Sequence, residues 1–262
     1  IAGLVSWTNP DQTFGVSASL AYTKYNTSEL GNNSVRWSQG AFRSVDGTAC
    51  FAGRTYVPSA GCTTAGLAFH PRIPRYGLVA HDRERLGATG SIQWAPTDRT
   101  KLSIDGLYSN FKETRDEFWG EILVRSNERS IDLANYTIDA NNTLVSGTLN
   151  NAYVRTERYS RRSETKFWQI SAALEQKLGD DVLVTLRGGK SQSDADIPVE
   201  ATIAFDDRID GYTFDYTNAA FPRLTFGSSV TTPSQFELAE FRDRPSNLRN
   251  KFETARLDVA WD

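Results

Sequence analysis

The chain has 262 residues, 23% of them charged, and a formal net charge of −3, a balance that gives no sign of a nucleic-acid partner. A mean hydropathy of −0.46, with no apolar run approaching about 18 residues, excludes transmembrane helices. It does not exclude a membrane barrel, whose strands alternate lipid-facing and lumen-facing residues and so stay low in average hydropathy.

Taken in chain order, residues 1–7 (IAGLVSW) read as a strand ending on Trp7, and TNPDQ reads as a turn. The next strand, 13–25, places Phe14, Val16, Ala18, Leu20 and Tyr22 on one side and Gly15, Ser17, Ser19 and Thr23 on the other. A polar loop of about sixty residues follows, well beyond the usual 12–15. Within it Cys50 and Cys62 flank the Gly/Pro/Ser-rich FAGRTYVPSAG, a spacing that suits one disulfide clip in an oxidising compartment, with two free thiols as the alternative. No metal site is expected: His70 and His81 are the only histidines and do not stand at ligand spacing.

From Leu86 a third strand runs to Trp94, turns through APTDR and returns as TKLSIDGLYSNFKE. A second long loop extends to Ser163. KFWQISAALEQKL and VLVTLRGGK then flank Gly179-Asp180-Asp181, a third loop covers 191–250, and FETARLDVAW ends on Trp261. Seven strands with connections alternating short and long predict an all-β fold: an antiparallel transmembrane β-barrel wall with short periplasmic turns and long extracellular loops. Trp7, Trp94 and Trp261 then form an interfacial girdle at the short-turn rim, with Tyr22 and Tyr108 at the opposite interface. Gln176 on the apolar face, and Leu107 and Phe111 on the polar one, break the alternation.

The stretch 75–111 resembles the barrel region of TonB-dependent outer-membrane receptors, in the branch often linked to oligosaccharide uptake. The likeness rests on Arg75-Tyr76-Gly77, Asp82-Arg83-Glu84-Arg85-Leu86-Gly87 and Trp94-Ala95-Pro96-Thr97-Asp98-Arg99, with FDDRIDGYTFDY and RNKFETARLDVAW of similar flavour. The resemblance implies part of a barrel of roughly 22 strands, plugged in its lumen. It further implies location in the outer membrane of a Gram-negative bacterium and import of a nutrient driven by the TonB complex. The partners are that complex, a small-molecule nutrient (an oligosaccharide, or else an iron siderophore) and outer-membrane lipid and lipopolysaccharide. The chain has no Met, begins at Ile1 and stops in mid-motif, and reads as a piece of a longer receptor, with the plug and the remaining strands absent from 1–262.

Ligand capture is expected in the loops. Asp206, Asp207 and Asp210 beside Tyr212 and Tyr216, and Trp119 further upstream, offer aromatic faces and carboxylates suited to sugar rings. The same acids suit a hard cation, but their spacing matches no EF-hand. Arg158, Arg161 and Arg162 in ERYSRRSE are candidates for an anionic ligand or lipid phosphates. No nucleophile elbow or phosphate-binding Gly loop is present, so no enzyme and no cofactor is expected. A passive porin-type channel and a soluble β-sandwich carbohydrate-binding module are the alternatives.

Overall fold

The computed structural model describes residues 1–57 and 59–261; Asp262, which opens the third expected Trp-ending turn, lies outside them. Seven long strands form an antiparallel meander: β1 (Ala2–Thr8), β2 (Phe14–Asn33), β3 (Arg75–Thr97), β4 (Thr100–Leu123), β5 (Ala152–Leu178), β6 (Val182–Ile209) and β7 (Ser246–Trp261). Their order in the sheet is their order in sequence.

Three tight turns lie at one end. Asn9 closes the first: its side chain accepts from the Phe14 amide (2.8 Å) and donates to Thr13 (2.9 Å). Asp98-Arg99 alone separates β3 from β4. Gly179, at φ +70, opens the third turn, a left-handed conformation that suits a residue without Cβ. Arg99 of the second turn bonds Asp180 of the third at 3.1 Å.

The strands run much further from these turns than the sequence pattern indicates. The expected loop regions 26–33, 75–85, 114–123, 152–162 and 191–209 are strand, so ERYSRRSE, Trp119, Asp206 and Asp207 belong to the main sheet and not to loops. Their alternation is charged against apolar or small, and so lacks the greasy phase that marks the lower strands. Backbone pairing holds them nonetheless: β4 and β5 pair without interruption from Thr100↔Gln176 to Leu123↔Tyr153.

One irregularity interrupts the main sheet. Arg162 pairs Val199 and Glu164 pairs Asp196, so Ser163 faces the two residues Ile197-Pro198 across a β-bulge. Opposite that bulge, Pro245 separates β7 from the strand Glu237–Asp243, which pairs with the upper part of β6. A proline has no N–H for a ladder, and both prolines sit where the ladder is broken.

The three remaining connections, 34–74, 124–151 and 210–236, are not independent solvated loops. They share a second sheet, ordered Arg223–Thr225, Tyr212–Asp215, Leu144–Asn150, Asp132–Ile138, Ser44–Val45, Thr48–Ala49, with a short helix, α1 (Ala60–Leu67), against it. Phe42, Ile131, Leu133, Leu144, Leu149, Tyr212 and Phe214 are buried in one core, joined by Ile122 from β4 and Val154 from β5. Each such side chain contributes roughly 1.5–3 kcal/mol of burial. The expectation of polar, solvent-filled loops is corrected accordingly.

Cys50 and Cys62 are bonded, with Cα atoms 5.6 Å apart, and tie α1 to the edge of this cap. Cys50→Ser with Cys62→Ser should cost the cap about 3 kcal/mol, the value for a closed loop of this size. Limited proteolysis should then cut within 34–74 while the strands near the tight turns stay protected. Equal loss of protection in cap and wall would show that the two do not unfold separately.

Candidate functional site

Residues paired across antiparallel strands share a face, so the register assigns every wall side chain. One face carries Trp7, Val16, Ile92 and Ile104 in one row and Phe14, Trp94, Leu102, Leu174, Leu186 and Leu257 in another. Among the described residues nothing packs on these two rows or below them: Ile170 is 51% exposed, Leu186 51%, Leu257 64% and Trp261 82%, while higher on the same face Gly120 and Ile122 are covered by the cap. Gln176 falls on this face between Thr100 and Val184, where its Oε1 accepts from the Thr100 hydroxyl at 2.8 Å.

The aromatic residues on this face follow a slope. Trp7 pairs Val16, whereas Trp94, two strands on, pairs Phe14, two residues nearer the turns. Trp261 pairs Val182 and through it Leu178, four residues beyond Leu174 of the Trp94 row, and it stands four strands on. The Trp level therefore descends by one residue per strand. Tyr22 and Tyr108 obey the same slope: Tyr108 pairs Ala88 and hence Leu20, two residues below Tyr22 and two strands away. Trp168, paired with Tyr108, joins this upper level and was not expected there.

The opposite face is small and polar near the turns, with Ser17, Ser91, Asp105, Ser171, Gly189 and Thr254 in one row. Higher up come Tyr25, Phe111, Phe167 and Phe252. The sequence signals these as aromatic residues in polar-phase positions, as with Phe111 above. Above them lie ion pairs. Glu113 accepts from Arg83 at 2.7 Å and contacts His81 at 3.1 Å, and Arg115 meets Glu117 at 2.7 Å. At the top, Arg75 holds Glu121 at 2.7 Å and stacks over Trp119 at 4.0 Å, and Arg155 grips Asp206 through two nitrogens at 2.8 and 3.1 Å.

The expected ligand cluster does not assemble as one open site. Trp119 is buried and donates to Glu117 at 2.7 Å. Asp206 faces away from Asp207 across β6, occupied by Arg155. Asp210 accepts from the Asn151 amide at 2.8 Å. Tyr212 and Tyr216 are core residues of the cap; Tyr216 packs edge-on against Trp37, and burial pushes its phenol up to about 12. No group of three or more His, Cys, Asp or Glu side chains is arranged to hold a metal among the described residues.

In the upper network Glu121, Glu157, Asp206 and Glu240 face Arg75 and Arg155. Burial, followed by the charge of Glu121, raises the Glu157 carboxyl to about 7. A carboxyl raised in the folded state stabilises it fully below the unfolded value near 4.5 and ceases to do so as pH rises through about 7. Glu157→Gln should therefore leave the tops of β4–β6 unchanged at pH 4 and protect them better than Glu157 does at pH 8. Amide hydrogen exchange at the two pH values measures this; equal protection at pH 8 would remove the proposed proton from Glu157.

No family model, curated protein or solved structure matches the chain.

Proposed function

We propose that the chain is a section of the wall of an outer-membrane β-barrel, belonging to a TonB-dependent receptor that binds a nutrient at the cell surface and imports it. The observation that carries the barrel reading is the uncovered apolar face, bounded by two aromatic levels that share one slope. A slip of one residue, about 3.3 Å, over an inter-strand spacing of about 4.8 Å corresponds to strands tilted by roughly 35°. That value belongs to barrel walls. Along β2 and β4 the Tyr level stands about seven residues above the Trp level, or roughly 19 Å along the barrel axis after tilt. Ring-sized side chains at both levels extend this toward the apolar band of about 25 Å found in such barrels.

A packed sandwich core would cover that face, so the β-sandwich alternative is disfavoured. Three tight turns at one rim and a folded cap at the other match the periplasmic and extracellular ends of a barrel. The assignment to TonB-driven uptake, rather than to a passive channel, rests on the motifs of residues 75–99.

Ile104 lies mid-height on the apolar face and Ser91 on the polar face beside it. In the full-length receptor, Ile104→Arg should destabilise the inserted barrel by about 2–4 kcal/mol. Ser91→Arg should cost much less, because its side chain points into the lumen. Urea unfolding in detergent micelles or lipid vesicles gives both values. Equal tolerance of the two substitutions, or a protein that stays folded and monodisperse without detergent, would overturn the membrane reading.

A further inference from the structure

We propose that the junction of the cap with β2, β3 and β4 carries a binding site for a phosphate ester dianion, formed by Arg36, Arg72 and Arg125. The inference goes beyond the barrel reading and does not depend on it. Trp37 pairs Pro71 and Ser38 pairs His70 antiparallel, and the Arg72 amide donates to the Arg36 carbonyl at 2.9 Å, which carries the pairing one residue further. Arg36 and Arg72 thus stand directly opposite each other, on the face that Ser38 and His70 share. The Arg125 amide in turn donates to the Arg72 carbonyl at 2.9 Å, so a third arginine stands on the adjoining backbone. Like charges directly opposite destabilise a strand pair. Burial, and then the charges of Arg36 and Arg125, hold the Arg72 guanidinium below its usual value.

Three features point to the ligand. None of the three arginines forms an ion pair among the described residues, where Arg43 faces Asp132, Arg75 holds Glu121 and Arg129 lies over the Phe51 ring. Glu128 is the one carboxylate whose charge is felt at Arg72, and it stands 3.9 Å from His70 Nε2. Three guanidinium groups against one carboxylate leave two positive charges. That is the charge of a phosphate monoester, whose three free oxygens suit guanidinium forks; a sulfate ester or a carboxylate brings only one negative charge. Next, Ser38 Oγ and His70 Nε2, one pair deeper on the same face, are both buried without a hydrogen-bond partner among the described residues. The serine hydroxyl can donate to a phosphate oxygen. Finally, Arg36 and Arg125 are exposed and Arg72 is half-buried, so the group is open to a ligand from outside.

The test is calorimetric titration of the full-length protein with phenyl phosphate, phenyl sulfate and benzoate, at a pH of about 7.5, where the phosphate is a dianion. Phenyl phosphate should bind roughly tenfold or more tightly than either monoanion, about 1.4 kcal/mol. Arg72→Gln and Arg125→Gln should each weaken it roughly tenfold. Arg125 is exposed and outside the core, so its variant keeps the test readable if Arg72→Gln disturbs the cap. In phosphate-free buffer Arg72→Gln should raise the thermal unfolding midpoint of the cap, because it removes the like-charge pair, and phenyl phosphate should then stabilise the parent far more than the variant. Lipopolysaccharide that displaces phenyl phosphate, and ceases to do so once its core phosphates are removed, assigns the site to the surface glycan. Lipopolysaccharide that never displaces it assigns the site to free esters. Equal binding of the three probes overturns the dianion, and phenyl phosphate that does not bind, or binds equally in both variants, overturns the site. None of these outcomes touches the barrel reading, which stands or falls on the need for detergent.

Discussion

Because β3, β4 and β5 are paired on both sides along most of their length, the face on which a side chain stands is fixed by parity and cannot be re-aimed locally. A slip of one residue anywhere would exchange the apolar face for the polar one across a whole strand. The tight turns hold this register. Asn9 closes its turn through its own side chain, and Gly179 adopts a backbone that a β-branched residue would strain. The two faces, the two aromatic levels and the rings on the polar face are all consequences of that one pairing.

Height along the strand divides the chemistry. Near the turns one face is apolar and bare, and the other is so closely set that a Cβ on Gly189 would stand 3.3 Å from the Ile170 carbonyl oxygen, closer than ordinary contact. Above the Tyr level both faces carry charges, and the strands are held by their ladders and by ion pairs such as Arg155–Asp206 rather than by a hydrophobic phase. Breaking one member of a partly buried pair leaves a desolvated charge, which costs more than the pair contributes. Glu157 escapes that penalty by holding a proton near neutrality, because it is buried and stands beside the charge of Glu121, and the more distant Arg155 offsets this only in part.

The lower wall was legible in the sequence because a period of two, a Trp and a turn residue recur together in IAGLVSWTNPD and SIQWAPTDR. The upper wall was not. DRER and ERYSRRSE alternate charge with charge, and no hydropathy pattern separates a paired charged strand from a solvated loop. In sequence the cap reads only as long polar loops, although Ile131 and Leu133 lead into a hairpin in which Asp139 accepts from the amides of Asn141 and Thr143. Its fusion with segments nearly ninety residues earlier and nearly seventy later follows from tertiary packing alone, as Asp132↔Ser44 and Gly147↔Phe214 illustrate. Tyr212 and Tyr216 stand among aspartates in sequence, which suggests surface aromatics, yet their rings lie in that shared core.

The common core of the three connections bears on how such a surface changes over generations. Loops that stand alone vary freely, one insertion at a time, and are therefore where new recognition arises. Here Phe42, Leu133 and Phe214 come from three different connections and bury one another. A volume change at one must be matched at another, far away in the gene, before the cap folds again. A substitution in that core is thus felt by all three connections at once, whereas one on the solvent-facing side of the cap is felt only where it stands.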